Sequence, residues 1–268
     1  MLPTIEQIKL ARQTIAGTAI RTPLVRLNVP DAPAEIYLKL ENLQPIGSFK
    51  IRGAANAMFR RSRKEMQEGV LAASAGNMAQ GAAWCARQIG VPCTVVAPDT
   101  APETKIAAIE RLGGRVIKTD FASWWRAFET RSYPGENGVF IHAFDDPLVM
   151  AGNGTIGLEI LEDLPDVDAI VIPWGGGGLT CGIASAVRAV KPETKIFAAE
   201  VATAAHGVPP GRDRHRPLPH GAIAARRQRL DAERSSWSER TTVTSGRPGR
   251  TRGSPTLARL EAVGRGAA

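Results

Sequence analysis

Gly47-Ser48-Phe49-Lys50-Ile51-Arg52-Gly53, entered from Lys39-Leu40-Glu41-Asn42, is the stretch on which the reading of this chain turns. Lys50 stands between an extended apolar run (Ile36, Leu38, Leu40) and a helical one (Ile51, Ala54, Ala55, Met58). A lysine among apolar and small neighbours loses solvation of its ammonium form, so its pKa falls and more of its amine is neutral. A neutral amine is a nucleophile. Taken alone, Lys50 reads first as a surface lysine at the start of a helix; two other stretches change that.

Gly175-Gly176-Gly177-Gly178 follows the apolar strand Ala169-Ile170-Val171-Ile172-Pro173 and opens a helix, so backbone N–H groups and a helix N-terminus converge where an anion can sit. The spacing is wrong for a dinucleotide fold, because Thr180 and Cys181 stand where the third glycine belongs. It is wrong for a nucleotide P-loop too, because Ile183 follows Gly182 where Lys is required. The bland alternative is a glycine turn that permits tight packing. Ser74-Ala75-Gly76-Asn77-Met78-Ala79-Gln80-Gly81 likewise lies between a strand and a helix, with its N–H groups free for a ligand or simply forming an N-cap loop.

Around these stretches the chain alternates strand and helix. Thr4 with Gln7 predicts a capping box, and Ile5, Ile8, Ala11 and Ile15 share one face of a helix ended by Gly17. Residues 35–40 read as a strand and residues 51–63 as a helix. Further strands are predicted at 70–73, 93–96, 115–118, 138–141, 169–173 and 195–200, and helices at 79–89, 103–112, 123–131, 155–164 and 179–190. Strands separated by helical crossovers imply an α/β fold with a mainly parallel sheet covered on both faces, whose ligands bind beyond the carboxyl ends of the strands.

The run from Glu41 through Ala54 closely resembles the Schiff-base segment of fold-type II pyridoxal-phosphate enzymes, in particular the serine/threonine dehydratases. Ser74–Gly81 and Gly175–Leu179 resemble two further blocks of that family in the same order, and the resemblance runs over roughly residues 4–201. It implies two parallel-sheet α/β domains of the tryptophan synthase β-like kind, a larger one from residues 1–50 and 146–201 and a smaller inserted one from 51–145. It also implies that Lys50 holds pyridoxal 5'-phosphate and moves the substrate α-proton. Phe49 would line the ring, Asn77 bond its hydroxyl, and Gly175, Gly176, Gly177, Gly178 and Leu179 take the phosphate. Ser74, Ala75, Gly76, Asn77 and Met78 would take the substrate carboxylate, mainly through main-chain groups. Met78 replaces the family's usual histidine, and Trp174 a smaller aliphatic residue. Ala75, where racemases of this fold carry a proton-moving serine, favours dehydration. The implied reaction converts L-threonine or L-serine to 2-oxobutanoate or pyruvate and ammonia, with β-replacement or racemisation as alternatives. Intact relatives are expected to be homo-oligomers.

Composition narrows the setting. No apolar run is long enough to span a membrane and the N-terminus lacks a signal-peptide pattern, so a cytoplasmic protein is expected. Cys85, Cys93 and Cys181 are too widely spaced for a zinc site or disulfide framework and read as packing residues, and His142 as a core histidine. Glu200 matches a cation ligand of some relatives, but His206 stands where its acidic partner belongs, so no metal is expected. Residues 202–268 carry 13 Arg, no Lys and five acidic residues, so the whole +8 charge lies there, and only nine of these 67 residues are large and apolar. That composition predicts a disordered basic tail resembling translation in a shifted reading frame, in place of the second half of the larger domain. An inactive truncated chain is a further alternative. With Trp237 as its single aromatic residue, the tail argues against nucleic-acid binding.

Overall fold

The computed structural model of the chain describes residues 1–30, 32 and 34–199. Thr4 starts the first helix as expected: its side chain accepts from the Gln7 N–H, the Gln7 side chain accepts from the Thr4 N–H, and α1 (Ile5–Thr14) buries Ile8 and Ala11. β1 (Leu24–Arg26) and β2 (Tyr37–Lys39) pair antiparallel, and a short 3-10 turn (Glu41–Leu43) leads to α2 (Lys50–Phe59). There follow β3 (Val70–Ala73), α3 (Asn77–Ile89), β4 (Cys93–Pro98), α4 (Glu103–Arg111), β5 (Arg115–Thr119), α5 (Phe121–Thr130) and β6 (Val139–Phe140). α6 (Pro147–Asp163), β7 (Ala169–Pro173), α7 (Gly178–Val190) and β8 (Lys195–Ala199) complete the described elements.

Helical crossovers produce parallel pairing throughout β3–β8. One sheet has the order β5-β4-β3-β6, with Val70 opposite Cys93 and Val139; the other is the pair β7-β8, with Ile170 opposite Ile196. In the first sheet Val70, Ala72 and Val95 pack into the large core formed with α2 and α3, while Leu71, Ala73 and Val96 pack beneath Trp124, Ala127 and Phe128 of α5. This sheet is covered on both faces, as parallel strands require. In the second, Ile170, Ile172 and Ile196 pack against Ile156, Ile160, Ile183 and Val187 of α6 and α7.

Two helices differ from their predicted bounds by a turn or more, the others by one or two residues at an end. α2 ends at Phe59, not Arg63, because Ser62 and Glu65 form their own reciprocal pair: the Glu65 carboxylate accepts from the Ser62 N–H at 2.7 Å and the Ser62 hydroxyl accepts from the Glu65 N–H. α6 begins at Pro147, two turns before the predicted Thr155, with the Asp146 side chain accepting from the Leu148 N–H. Gly152 and Gly154 weaken the helical pattern in sequence, but they are there to let helices touch. A Cβ on Gly152 would overlap the Arg52 carbonyl, and one on Gly154 would lie 2.8 Å from the Gly182 carbonyl. α6 is thereby wedged between α2 and α7, the two helices whose N-termini carry Lys50 and the glycine loop.

Candidate active site

Lys50 opens α2, so its backbone direction is set by the helix and its side chain by what lies beyond the helix end. Nζ donates to the Ala143 carbonyl at 2.7 Å and lies 5.2 Å from the centre of the Phe49 ring. Burial alone pushes its pKa down from 10.5 to about 8. No carboxylate pairs with this amine in the described contacts; its partner is a neutral carbonyl, which leaves it free to lose its proton.

Two residues on, Arg52 fixes α2. Its guanidinium is 1% exposed and forks onto two carboxylates, donating to Glu41 through Nε and Nη2 at 2.8 Å each and to Glu159 of α6 through Nη1 at 2.6 Å and Nη2 at 2.9 Å. Lys39 Nζ also pairs with Glu159 at 2.8 Å, and the Thr155 hydroxyl accepts from Arg52. A buried guanidinium requires this degree of pairing, since an unpaired charge there would be very costly. Sequence reading did not assign Arg52 a role, although arginine two residues after a buried lysine was visible.

The other two blocks converge on Lys50 by different routes. On α3, a Cβ at Gly81 would lie 3.2 Å from Ala54 and 3.4 Å from the Lys50 carbonyl, so this glycine brings the start of α3 against the start of α2. Ser74 accepts from the Gly76 N–H at 3.2 Å and shapes the turn, Asn77 is exposed at its tip, and Ala75 packs near Ala97, Ala101 and Ile106. Met78 is buried in the core, so residue 78 can offer a ligand its backbone but not its side chain.

The glycine loop is linked to Lys50 through residues 143–144. A Cβ on Gly176 would overlap the Phe144 ring, and one on Gly178 would lie 2.6 Å from the Phe144 carbonyl; around Gly175 there is open space. Gly177 takes φ +87°, a left-handed conformation natural to glycine, with Trp174 packed 3.0 Å from its absent Cβ position. Close packing therefore explains Gly176 and Gly178, and only Gly175 stands clear. Leu179 packs against the core under β7-β8. Ala143 and Phe144 were not singled out in sequence, because a loop after a two-residue strand carries no periodicity.

The helix termini divide by use. α1, α5 and α6 are capped by the side chains of Thr4, Asp120 and Asp146. α2, α3 and α7, which open from the three blocks, have no side-chain cap bond, and neither does α4, which starts after Pro102. An uncapped N-terminus presents N–H groups and the positive end of the helix dipole to an anion. The Thr180 hydroxyl, fully buried in the first turn of α7, has no hydrogen-bond partner among the described residues. A buried, deprotonatable amine near an uncapped, glycine-lined helix end fits a phosphate-bearing aldehyde. Lys50 could hold its carbonyl carbon, and the N-terminus of α7 its phosphate.

The cysteines are buried, and burial pushes the Cys93 thiol up to about 12, which keeps it inert at neutral pH. Among the described residues no group of His, Cys, Asp and Glu is placed to hold a metal ion, and no helix is long and apolar enough to cross a membrane. Glu200, His206 and the basic tail lie outside the described residues.

Comparison with known proteins places the chain in one family. The family model described as pyridoxal-phosphate dependent enzyme matches residues 15–241, forty residues beyond the point where the motif resemblance ends. An L-threonine ammonia-lyase of Thermotoga maritima is 47% identical over 198 residues, covering 72% of this chain and 49% of the relative. Maize serine racemase superposes with a TM-score of 0.71 at 34% identity, covering 75% of this chain and 62% of that one. Threonine deaminase isoform 2 of Solanum lycopersicum superposes at 0.63, also at 34% identity, covering 74% and 58%. The chain spans about half the length of the curated relatives it matches. It belongs to the pyridoxal-phosphate dependent enzyme family, with an α/β fold of the fold-type II kind.

Proposed function

We propose that this chain forms the lysine-bearing part of an ammonia-lyase that takes water and ammonia from L-threonine or L-serine, giving 2-oxobutanoate or pyruvate. The observation that carries the reading is the Lys50 amine. With a pKa near 8, about one Lys50 in ten is neutral at pH 7, against fewer than about one in a thousand for an ordinary lysine. When bound, pyridoxal phosphate supplies an electron-withdrawing ring that makes the substrate α-proton acidic.

The protein's part is then to bind, orient and move that proton. Lys50 anchors the cofactor and accepts the α-proton at Nζ. Phe49 would line the ring, Asn77 would bond its hydroxyl, and the main chain of Gly175, Gly176, Gly177, Gly178 and Leu179 would take the phosphate at the start of α7. The main chain of Ser74, Ala75, Gly76, Asn77 and Met78 receives the substrate carboxylate at the uncapped start of α3, where the helix dipole favours negative charge. Small-molecule amino acids are thus the expected partners. The larger domain is assigned to residues 1–50 and 146–201 and the smaller to 51–145; the position of the four-stranded sheet within 70–140 supports that division.

Racemisation, suggested by the likeness to maize serine racemase, needs a second proton-moving group. Ala75 has only a methyl group and packs among alanines, which supports dehydration instead. Incubation of the purified chain with pyridoxal phosphate, borohydride reduction and peptide mapping tests the anchor: label at Lys50 is expected, and label on another lysine would overturn it. With L-threonine, 2-oxobutanoate and ammonia are the expected products; D-amino acid as the main product would favour the racemase reading.

A further inference from the structure

We propose that His142 is a positioning residue for Lys50: its imidazole holds residues 143–145 in the turn that offers the Ala143 carbonyl to the lysine amine and the Phe144 ring to the glycine loop. The inference rests on the reading of Lys50 as the reactive amine.

The geometry is a short chain of contacts. Beyond β6 the Ile141 N–H donates to the Leu71 carbonyl, so the sheet fixes the backbone up to residue 141. The next residue turns inward. His142 is 5% exposed, and its Nδ1 accepts from the Asp145 N–H at 2.8 Å and from the Phe144 N–H at 3.3 Å. The ring nitrogen thus supplies one acceptor to two successive backbone N–H groups of the turn. Phe128 and Phe144 pack against the ring at 4.5 and 4.8 Å between centres and 5.5 Å from each other, with Phe140 at 6.1 Å, so its orientation is held by three aromatic contacts. Between the two anchored ends lie Ala143, whose carbonyl receives Lys50 Nζ, and Phe144, which rests on Gly176 and Gly178.

Acceptance at Nδ1 requires the neutral ring with its proton on Nε2. The surroundings enforce this. Burial pushes the His142 pKa down to about 4, Arg131 and Lys50 act in the same direction, and Asp145 and Asp146 oppose them. A histidine that merely filled core space would need no such acceptor, and phenylalanine would fill the same aromatic layer. What only the histidine supplies is the lone pair that folds the turn.

The test replaces shape and acceptor separately. His142→Phe keeps a ring and removes the acceptor; His142→Asn loses the ring but can place Oδ1 near the Nδ1 position. In each full-length, cofactor-free chain, the pH dependence of Lys50 acetylation by acetic anhydride is read by peptide mass spectrometry, and trapping of pyridoxal phosphate by borohydride at neutral pH is measured in parallel. The parent midpoint is expected near 8. His142→Asn should stay within about 0.5 pH unit of it. His142→Phe should rise by about one unit or more as the loosened turn admits water, with trapping reduced about tenfold. An unchanged midpoint in a folded His142→Phe, or an equal rise in both variants, would overturn the proposal. If His142→Phe does not fold, His142→Gln, whose oxygen lies one carbon farther out, takes its place with the same expectation of a raised midpoint. Acetylation needs no cofactor, so the two readings separate. A shifted midpoint in a chain that never traps pyridoxal phosphate on Lys50 supports the turn and sinks the functional reading; trapping on Lys50 with no shift does the reverse.

Discussion

The four-stranded sheet β5-β4-β3-β6 and the pair β7-β8 are both parallel and both built from short apolar strands, yet their surroundings differ. Every residue of β3 is buried, with α2 and α3 on one face and α5 on the other. β7 alternates: Ile170 and Ile172 lie inward, but Val171 is 67% exposed, and on β8 Phe197 is 39% exposed. Local sequence specifies a strand to be covered on both sides in each case, and for β7-β8 the described residues supply one cover, α6 and α7. The difference bears on the site. Ile51, next to Lys50, and the start of α3 pack into the doubly covered core, whereas the glycine loop hangs from the pair that the described residues cover on one face.

The join between the two regions should be the most sensitive point. Arg52→Met leaves the carboxylate of Glu41 without its cation and Glu159 with Lys39 alone, and should destabilise the fold by about 3 kcal/mol, read by urea denaturation, because breaking a buried ion pair from one side strands the other charge. A loss below about 1 kcal/mol would mean that α2 and α6 are held by their glycine contacts alone. Within the sheets, Leu71→Ala should cost about 3 kcal/mol through the cavity it opens, while Val171→Ala should change stability by less than about 0.5 kcal/mol. Equal losses would erase the distinction between the sheets.

The desolvated Lys50 should itself be a burden on the fold. In the folded chain it releases its proton near pH 8, in the unfolded chain near 10.5. Between these values the unfolded state binds more protons, so stability rises with pH across the window, and below about pH 8 the cost of the buried ammonium is felt in full. Lys50→Met should therefore stabilise the chain by about 2 kcal/mol at pH 7 while abolishing cofactor trapping, and the gain should shrink toward pH 10.5. Denaturation curves at three pH values check the sign. The smallest expected effect is Gly175→Ala, whose methyl meets open space: stability should hold within about 0.5 kcal/mol, although phosphate binding at α7 can still be reduced.

Much of this was legible in the residues themselves. The capping box at Thr4 and Gln7, the strands at 70–73 and 169–173, and the three blocks around Lys50, Asn77 and Gly175 depend on neighbours within a few positions, where hydrophobic period and turn chemistry act directly. Lys50 was not legible from its flanks alone, which read equally as a surface lysine at a helix start; the resemblance of the three blocks to one family singled it out. The tertiary structure decided what depends on residues far apart in the chain. Gly152 and Gly154 count against a helix until α2 and α7 are seen to press on them. Arg52 is one more charged residue until Glu41 and Glu159 close on it from 11 and 107 positions away. His142 read as core filling, and only folding brings its lone pair beneath the turn whose carbonyl meets Lys50, 93 residues distant. Periodicity carries no information about such pairs, because burial and hydrogen-bond satisfaction are settled between surfaces that meet only in the folded chain.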